Sequence, residues 1–172
     1  MYRTPYLRRP NECTDGELRE FERLVREGFD GSDDSLVSRI GDASCLAFQR
    51  AIDGTYIGVA GLKRPSEEHT ARVFAKAGAD VPPADCWVEL GWVYVVPDHQ
   101  RNRIASKLCS ELMKRSPGAC VYATTRPDNV PMIQILLALG FVRTGRSFAR
   151  RAQELALFVR SRRTGAGPRP AV

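Results

Sequence analysis

The stretch from Glu89 to Lys107 contains a run of apolar and aromatic residues, Leu90-Gly91-Trp92-Val93-Tyr94-Val95-Val96. It is broken by Pro97-Asp98 and followed by Gln100-Arg101-Asn102-Arg103-Ile104-Ala105-Ser106. A strand that ends there and feeds a helix aims that helix's N-terminus outward. The first N–H groups of a helix lack intrahelical partners and its dipole is positive there, so a pyrophosphate can lie across Arg101 to Ser106. An ordinary strand-to-helix connection would show the same pattern. Nucleophilic chemistry is the other option the residue types offer. There are five cysteines, Cys13, Cys45, Cys86, Cys109 and Cys120, but only two histidines, His69 and His99, and neither is placed beside a thiol by the sequence.

The elements that would position this segment follow from periodicity. Thr14 and Glu17 form a capping box ahead of Leu18, Phe21, Leu24, Val25 and Phe29, which predicts a helix over 15–28. A short helix over 33–40 comes next, then two strands, 45–51 and 56–62, joined by Asp53-Gly54. Residues 64–84 mix charges with Gly78 and Pro82-Pro83. They read as an insertion or lid, with a helix within it over 67–77. A strand over 86–96 and a helix over 101–115 carry the loaded segment. A further strand over 119–125 leads to a helix capped by Asp128 or Asn129, with Pro131 in its first turn and Gly140 at its close. Two last strands, 141–144 and 154–159, complete an α/β or α+β chain with a mixed sheet.

The 172 residues fit a single domain over 1–160, followed by a flexible basic tail, 161–172, that is poor in apolar side chains. Hydrophobic residues make up 43% and no apolar run reaches the ~18 residues a membrane span needs. The N-terminus has arginines but no apolar core of a leader, which places the protein in the cytoplasm. The odd, scattered cysteines argue against a disulfide framework and against zinc, so the expectation is buried, reduced thiols and no metal. The net charge of +6 suits an anionic partner. Nucleic acid is disfavoured as that partner because no aromatic-basic stacking motif accompanies the charge.

The residues resemble the GCN5-related N-acetyltransferase (GNAT) family. Its cofactor loop reads Q/R-x-x-G-x-G/A after a V-x-P-like turn, and Gln100 to Ala105 occupy that slot. The pattern continues through Asn129 and Gly140-Phe141, where the family has N-x-x-A-x-x-L-Y-x-K-x-G-F, and element order agrees from about residue 6 to 159. The resemblance implies a mixed, mostly antiparallel sheet with helices on both faces and acetyl-CoA as acyl donor. It also assigns roles. Val93, Tyr94 and Val95 would offer backbone groups to the pantetheine arm, a backbone N–H, that of Val95, would steady the oxyanion, and Gln100, Arg101, Asn102, Arg103, Ile104, Ala105 and Ser106 would hold the pyrophosphate. Asn129 would bond the lower arm of the cofactor.

An amine must lose its proton before it attacks a thioester, so a carboxylate or histidine is needed beside the thioester. The resemblance points to Glu89, eleven residues ahead of Gln100, the spacing kept by the histone acetyltransferase branch. The other branch keeps its glutamate on the next strand, where this chain has Thr124. Two departures are visible. Arg103 replaces a glycine of the loop, and Leu136 stands where many members carry a tyrosine that protonates the departing thiolate. Acceptor selection would fall to 64–85. The rings of Trp87, Trp92, Tyr94 and Tyr122 could line an acceptor pocket or pack in the core; Trp92 is read as core and the others are left open. The resemblance therefore implies N-acetylation of a small-molecule or protein amine, with a homodimer left open. The alternative is a catalytically silent CoA-binding or partner-binding module on the same fold.

Overall fold

The computed structural model describes residues 2–29, 34–150 and 152–161. Seven strands form one sheet, in the order Tyr6–Arg8, Cys45–Arg50, Tyr56–Lys63, Val88–Val95, Val121–Thr125, Gln153–Arg160 and Val142–Arg150; the first two pairs and the last two are antiparallel, and Val88–Val95 runs parallel to Val121–Thr125. This is the mixed, mostly antiparallel sheet expected. The chain divides into two compact units, residues 1–64 with 90–115, and residues 65–89 with 116–172. Part of the expected second helix (Asp33) and nearly all of the expected tail (162–172) lie outside the described residues.

The first unit contains β1 (Tyr6–Arg8), α1 (Asp15–Gly28), α2 (Leu36–Gly41), β2 (Cys45–Arg50) and β3 (Tyr56–Lys63). The capping box at α1 is made as read: Glu17 N–H donates to Thr14 Oγ1 at 3.2 Å and Thr14 N–H donates to Glu17 Oε2 at 2.9 Å. Phe21, Leu24 and Val25 then fall on one buried stripe, packed with Phe48, Val59 and Trp92. α1 stops at Gly28, where any Cβ would run into the ring of Tyr94. Phe29, expected on the buried stripe, lies one residue past the helix end and is exposed. β1 was not anticipated. It is three residues long and pairs with β2 at Tyr6↔Phe48 and Arg8↔Leu46.

Glu17 is nearly buried, and burial pushes its carboxyl up. The N–H of Thr14, the hydroxyl of Tyr6 and the charge of Arg8 outweigh this and hold it below the ordinary 4.5. A carboxyl depressed in the folded chain contributes stability above its unfolded pKa, and that contribution is lost as pH falls through the folded value. Thermal midpoints are therefore expected to drop as pH is lowered below about 4.5, and the drop is expected to be shallower in Glu17→Gln; parallel curves would refute this.

The second unit is built on α3 (Glu67–Ala77), β5 (Val121–Thr125), α5 (Val130–Ala138), β6 (Val142–Arg150) and β7 (Gln153–Arg160). Ser66 caps α3 by accepting from His69 N–H at 3.1 Å, and Gly78 ends it at φ 61. Val73, Phe74 and Ala77 bury one face against Tyr122, Phe148, Leu157 and Val159. Within the segment read as an insertion or lid, the helix expected over 67–77 is formed, and it packs as core and not as a lid. Its outward charges, Glu68 and Arg72 among them, concealed the apolar stripe.

A second correction concerns the thiols: Cys86 and Cys120 form a disulfide, with Cα atoms 4.6 Å apart. Each precedes a strand of the parallel pair that begins at Val88↔Val121, so the register brings together residues that are 34 apart in sequence. Cys13, Cys45 and Cys109 are free, as read, although Cys13 is only half-buried. Burial pushes the thiols of Cys45 and Cys109 up, Cys109 to about 12, which keeps both in the unreactive form. No helix among the described residues is long and apolar enough to cross a membrane.

Candidate functional site

β4 (Val88–Val95) belongs to the second unit at Val88 and Glu89 and to the first from Leu90 onward. In the first unit Trp92 takes a left-handed backbone, φ 53, inside the strand. Its indole is almost fully buried, edge-on to Phe21 at 5.9 Å, so the ring is core as expected. A left-handed residue within a strand re-aims the backbone after it, here Val93, Tyr94 and Val95. The side chain of Tyr94 is used structurally: its hydroxyl donates to Glu27 Oε1 at 3.0 Å. Burial and the charge of Glu27 hold that phenol above its ordinary value.

After β4, Pro97–His99 make one 3-10 turn and the loop 100–103 follows. Gln100 Nε2 donates to Val95 O at 3.0 Å, tying the loop to the strand end. Asn102 Nδ2 donates to His99 O at 3.2 Å and to Gln100 O at 3.0 Å. Arg101 and Arg103 are both left-handed, φ 63 and 58, so neither can be helical, and α4 (Ile104–Lys114) starts three residues later than the sequence suggested. Arg103 thus adopts the conformation a glycine would take at its slot, with its side chain exposed.

No side chain caps α4. Its first intrahelical bond runs from Lys107 N–H to Arg103 O at 3.0 Å, which leaves the amides of Ile104, Ala105 and Ser106 directed out of the helix start. Ile104 anchors that start: it is buried, and a Cβ at Gly58 would lie 3.1 Å from its Cγ2. Left-handed turns of this kind, followed by an uncapped helix, form a concavity of N–H donors suited to phosphate. The structure therefore brings Val93–Val95 and Gln100–Ser106 together in one unit. Holding an L-residue left-handed costs about 1–2 kcal/mol. Arg103→Gly is accordingly expected to raise the thermal midpoint, and a fall would mean that the guanidinium makes a stabilising contact.

Glu89 and Asn129 lie in the second unit. Glu89 is 5% exposed and stands in register beside Tyr122 of β5. Tyr122 is fully buried, edge-on to Phe74 at 5.4 Å, with its hydroxyl 3.4 Å from Thr70 Oγ1. It is core. Burial, then the charge of Glu89, raises its phenol well above the ordinary range. Asn129 caps α5: its Oδ1 accepts from Met132 N–H at 3.3 Å and its Nδ2 donates to Thr125 Oγ1 at 3.1 Å, leaving one amide hydrogen unassigned. Leu136 is completely buried, so the place of the family's tyrosine is filled by core.

Lys63 was not singled out from the sequence. Its side chain lies over Gly91, where a Cβ would be 2.6 Å from Nζ, and its ammonium sits 5.2 Å from the Trp92 ring. The signal was Gly91 itself, since glycine inside a strand marks the close approach of another group.

The sequence matches the Acetyltransferase (GNAT) family model over residues 11–141. No curated protein sequence matches it significantly. Among solved structures, the GNAT superfamily phosphinothricin acetyltransferase (Pat) of Sinorhizobium meliloti, in complex with acetyl-CoA, superposes with a TM-score of 0.69 at 18% identity, over 99% of this chain and 96% of that one. NAA60 of Arabidopsis thaliana, in complex with a bisubstrate analogue, gives 0.66 at 19% identity, over 91% and 97%. The yncA protein of Salmonella typhimurium, with its cofactor acetyl-CoA, gives 0.64 at 17% identity, over 98% of each chain. At such identities these likenesses establish the fold.

Proposed function

Because the chain belongs to the Acetyltransferase (GNAT) family, we propose that it is an N-acetyltransferase that moves an acetyl group from acetyl-CoA to an amine, with Glu89 as the base. The observation that carries this reading is the uncapped start of α4 behind the left-handed arginines of the loop. Those donors fit a pyrophosphate. Acetyl-CoA, when bound, supplies an activated acyl group as a thioester.

In this reading the amides of Ile104, Ala105 and Ser106, with Gln100 to Arg103, hold the pyrophosphate, and the backbone of Val93 to Val95 lines the pantetheine arm. Gln100 occupies the Val95 carbonyl, which keeps the strand end and the loop in one arrangement. Glu89 takes the proton of the incoming ammonium, and the Val95 N–H steadies negative charge on the thioester oxygen. The remaining amide hydrogen of Asn129 reaches the lower arm. With Leu136 at the tyrosine position, the thiolate leaves without a side-chain acid, which a thiol pKa of about 8.5 tolerates.

Calorimetric titration with acetyl-CoA, followed by thiol release with a panel of small-molecule and peptide amines, tests the proposal. Saturable binding with amine-dependent release supports it. Binding without release from any amine would favour the silent module, a reading motivated by the burial of Leu136.

A further inference from the structure

The first unit holds a polar cavity that has no part in the acetyl-transfer reading. It measures about 240 Å³ and is lined by Arg3, Thr4, Tyr6, Arg8, Glu17 and Arg50. Strand alternation puts Thr4, Tyr6 and Arg8 on one face of the chain at β1, with Arg50 on β2 and Glu17 on α1. At ~30 Å³ per water, the space would take several waters, or a small molecule in their place.

The charges there do not balance: three guanidiniums face one carboxylate, a surplus of two positive charges. Glu17 has no capacity left to correct this. Its Oε1 accepts from Tyr6 at 2.9 Å and pairs with Arg8 Nε at 3.3 Å, with Arg50 Nη2 at 3.8 Å. Its Oε2 accepts the N–H of Thr14 at 2.9 Å and its hydroxyl at 3.3 Å. Arg3 donates to the Ile52 carbonyl at 3.1 Å and has no carboxylate partner among the described residues. Asp53, whose carboxyl feels Arg3, spends an oxygen on Thr55 N–H at 2.9 Å.

One of these arginines is held in place. Arg50 lies 4.2 Å over the Tyr56 ring and donates to the Tyr56 hydroxyl. Its Nε is buried with no hydrogen-bond partner, a donor that folding has left unmatched. Positioned guanidiniums with surplus charge select oxyanions, because the planar fork matches carboxylate and phosphate oxygens.

We propose that this cavity is a binding site for a small molecule bearing a doubly charged oxyanion, a phosphomonoester, with Arg3, Arg8 and Arg50 as its receptors. Glycerol 1-phosphate is the probe, titrated calorimetrically into the full chain at constant ionic strength, with glycerol as the neutral arm and inorganic phosphate as the free-ion arm. The cofactor loop also presents phosphate donors, so the variants must separate the two sites. Arg3→Gln with Arg8→Gln is expected to weaken binding about tenfold or more, while Arg101→Gln with Arg103→Gln leaves it unchanged. Should the first pair fold poorly, Arg3→Gln alone, which gives up one hydrogen bond to Ile52 and the attraction of exposed Asp53, is expected to weaken it about threefold. Phosphate binding as tightly as the ester would support the site and assign it to the free ion. Absence of saturable binding, or binding lost only with the loop substitutions, would overturn the proposal.

Discussion

Glu89→Gln is expected to lower the rate of acetyl transfer by about 10²–10⁴ while leaving the affinity for acetyl-CoA within about twofold. Glutamine keeps the size and hydrogen-bonding capacity of a side chain that is 5% exposed in β4, so the strand and its register at Val88↔Val121 should persist. What it loses is the ability to accept a proton from an ammonium. Single-turnover and steady-state rates with a fixed amine, alongside calorimetry with acetyl-CoA, separate the two quantities. A rate within about threefold of wild type would remove Glu89 from the chemistry, and a parallel collapse of thermal midpoint would give it a structural role instead.

Ser106→Asp should act on the other half of the reaction. An aspartate in the first turn of α4 complements the helix dipole, so stability should stay level or rise by about 0.3–1 kcal/mol. The same carboxylate would stand beside the amides that the proposal gives to the pyrophosphate. Two negative groups competing for one set of donors should weaken acetyl-CoA binding by about 100-fold or more. The opposite signs are the diagnostic. If stability rises and affinity holds, the phosphates do not lie on the α4 start; a fall in both would trace the effect to misfolding of the loop.

Much of this arrangement was legible from the residues. The capping box at Thr14 and Glu17 and the Asp53-Gly54 turn are local signals, and each is realised. Features that depend on distant partners were not legible. β1 is too short to show alternation and exists because β2 pairs with it. The Cys86–Cys120 disulfide is set by the parallel register of β4 and β5, which no spacing within either segment reveals. The start of α4 was placed too early because Arg101 and Arg103 carry no glycine-like mark of the left-handed backbone they adopt. Lys63 over Gly91 could be inferred only as an unidentified neighbour.

The two units are interleaved along the chain, and this orders their assembly in time. Every segment of the first unit has been synthesised once residue 115 emerges, with residues 65–89 looped out, whereas the second must wait for residues 116 onward. During translation the first unit can therefore close while Glu89 still lacks the β5 strand that pairs with it. Each unit must also join segments remote in sequence, which raises loop-closure entropy and slows folding relative to a protein of the same size made from consecutive pieces. The nascent chain can thus complete the backbone proposed to hold phosphate before its proposed base is packed in place.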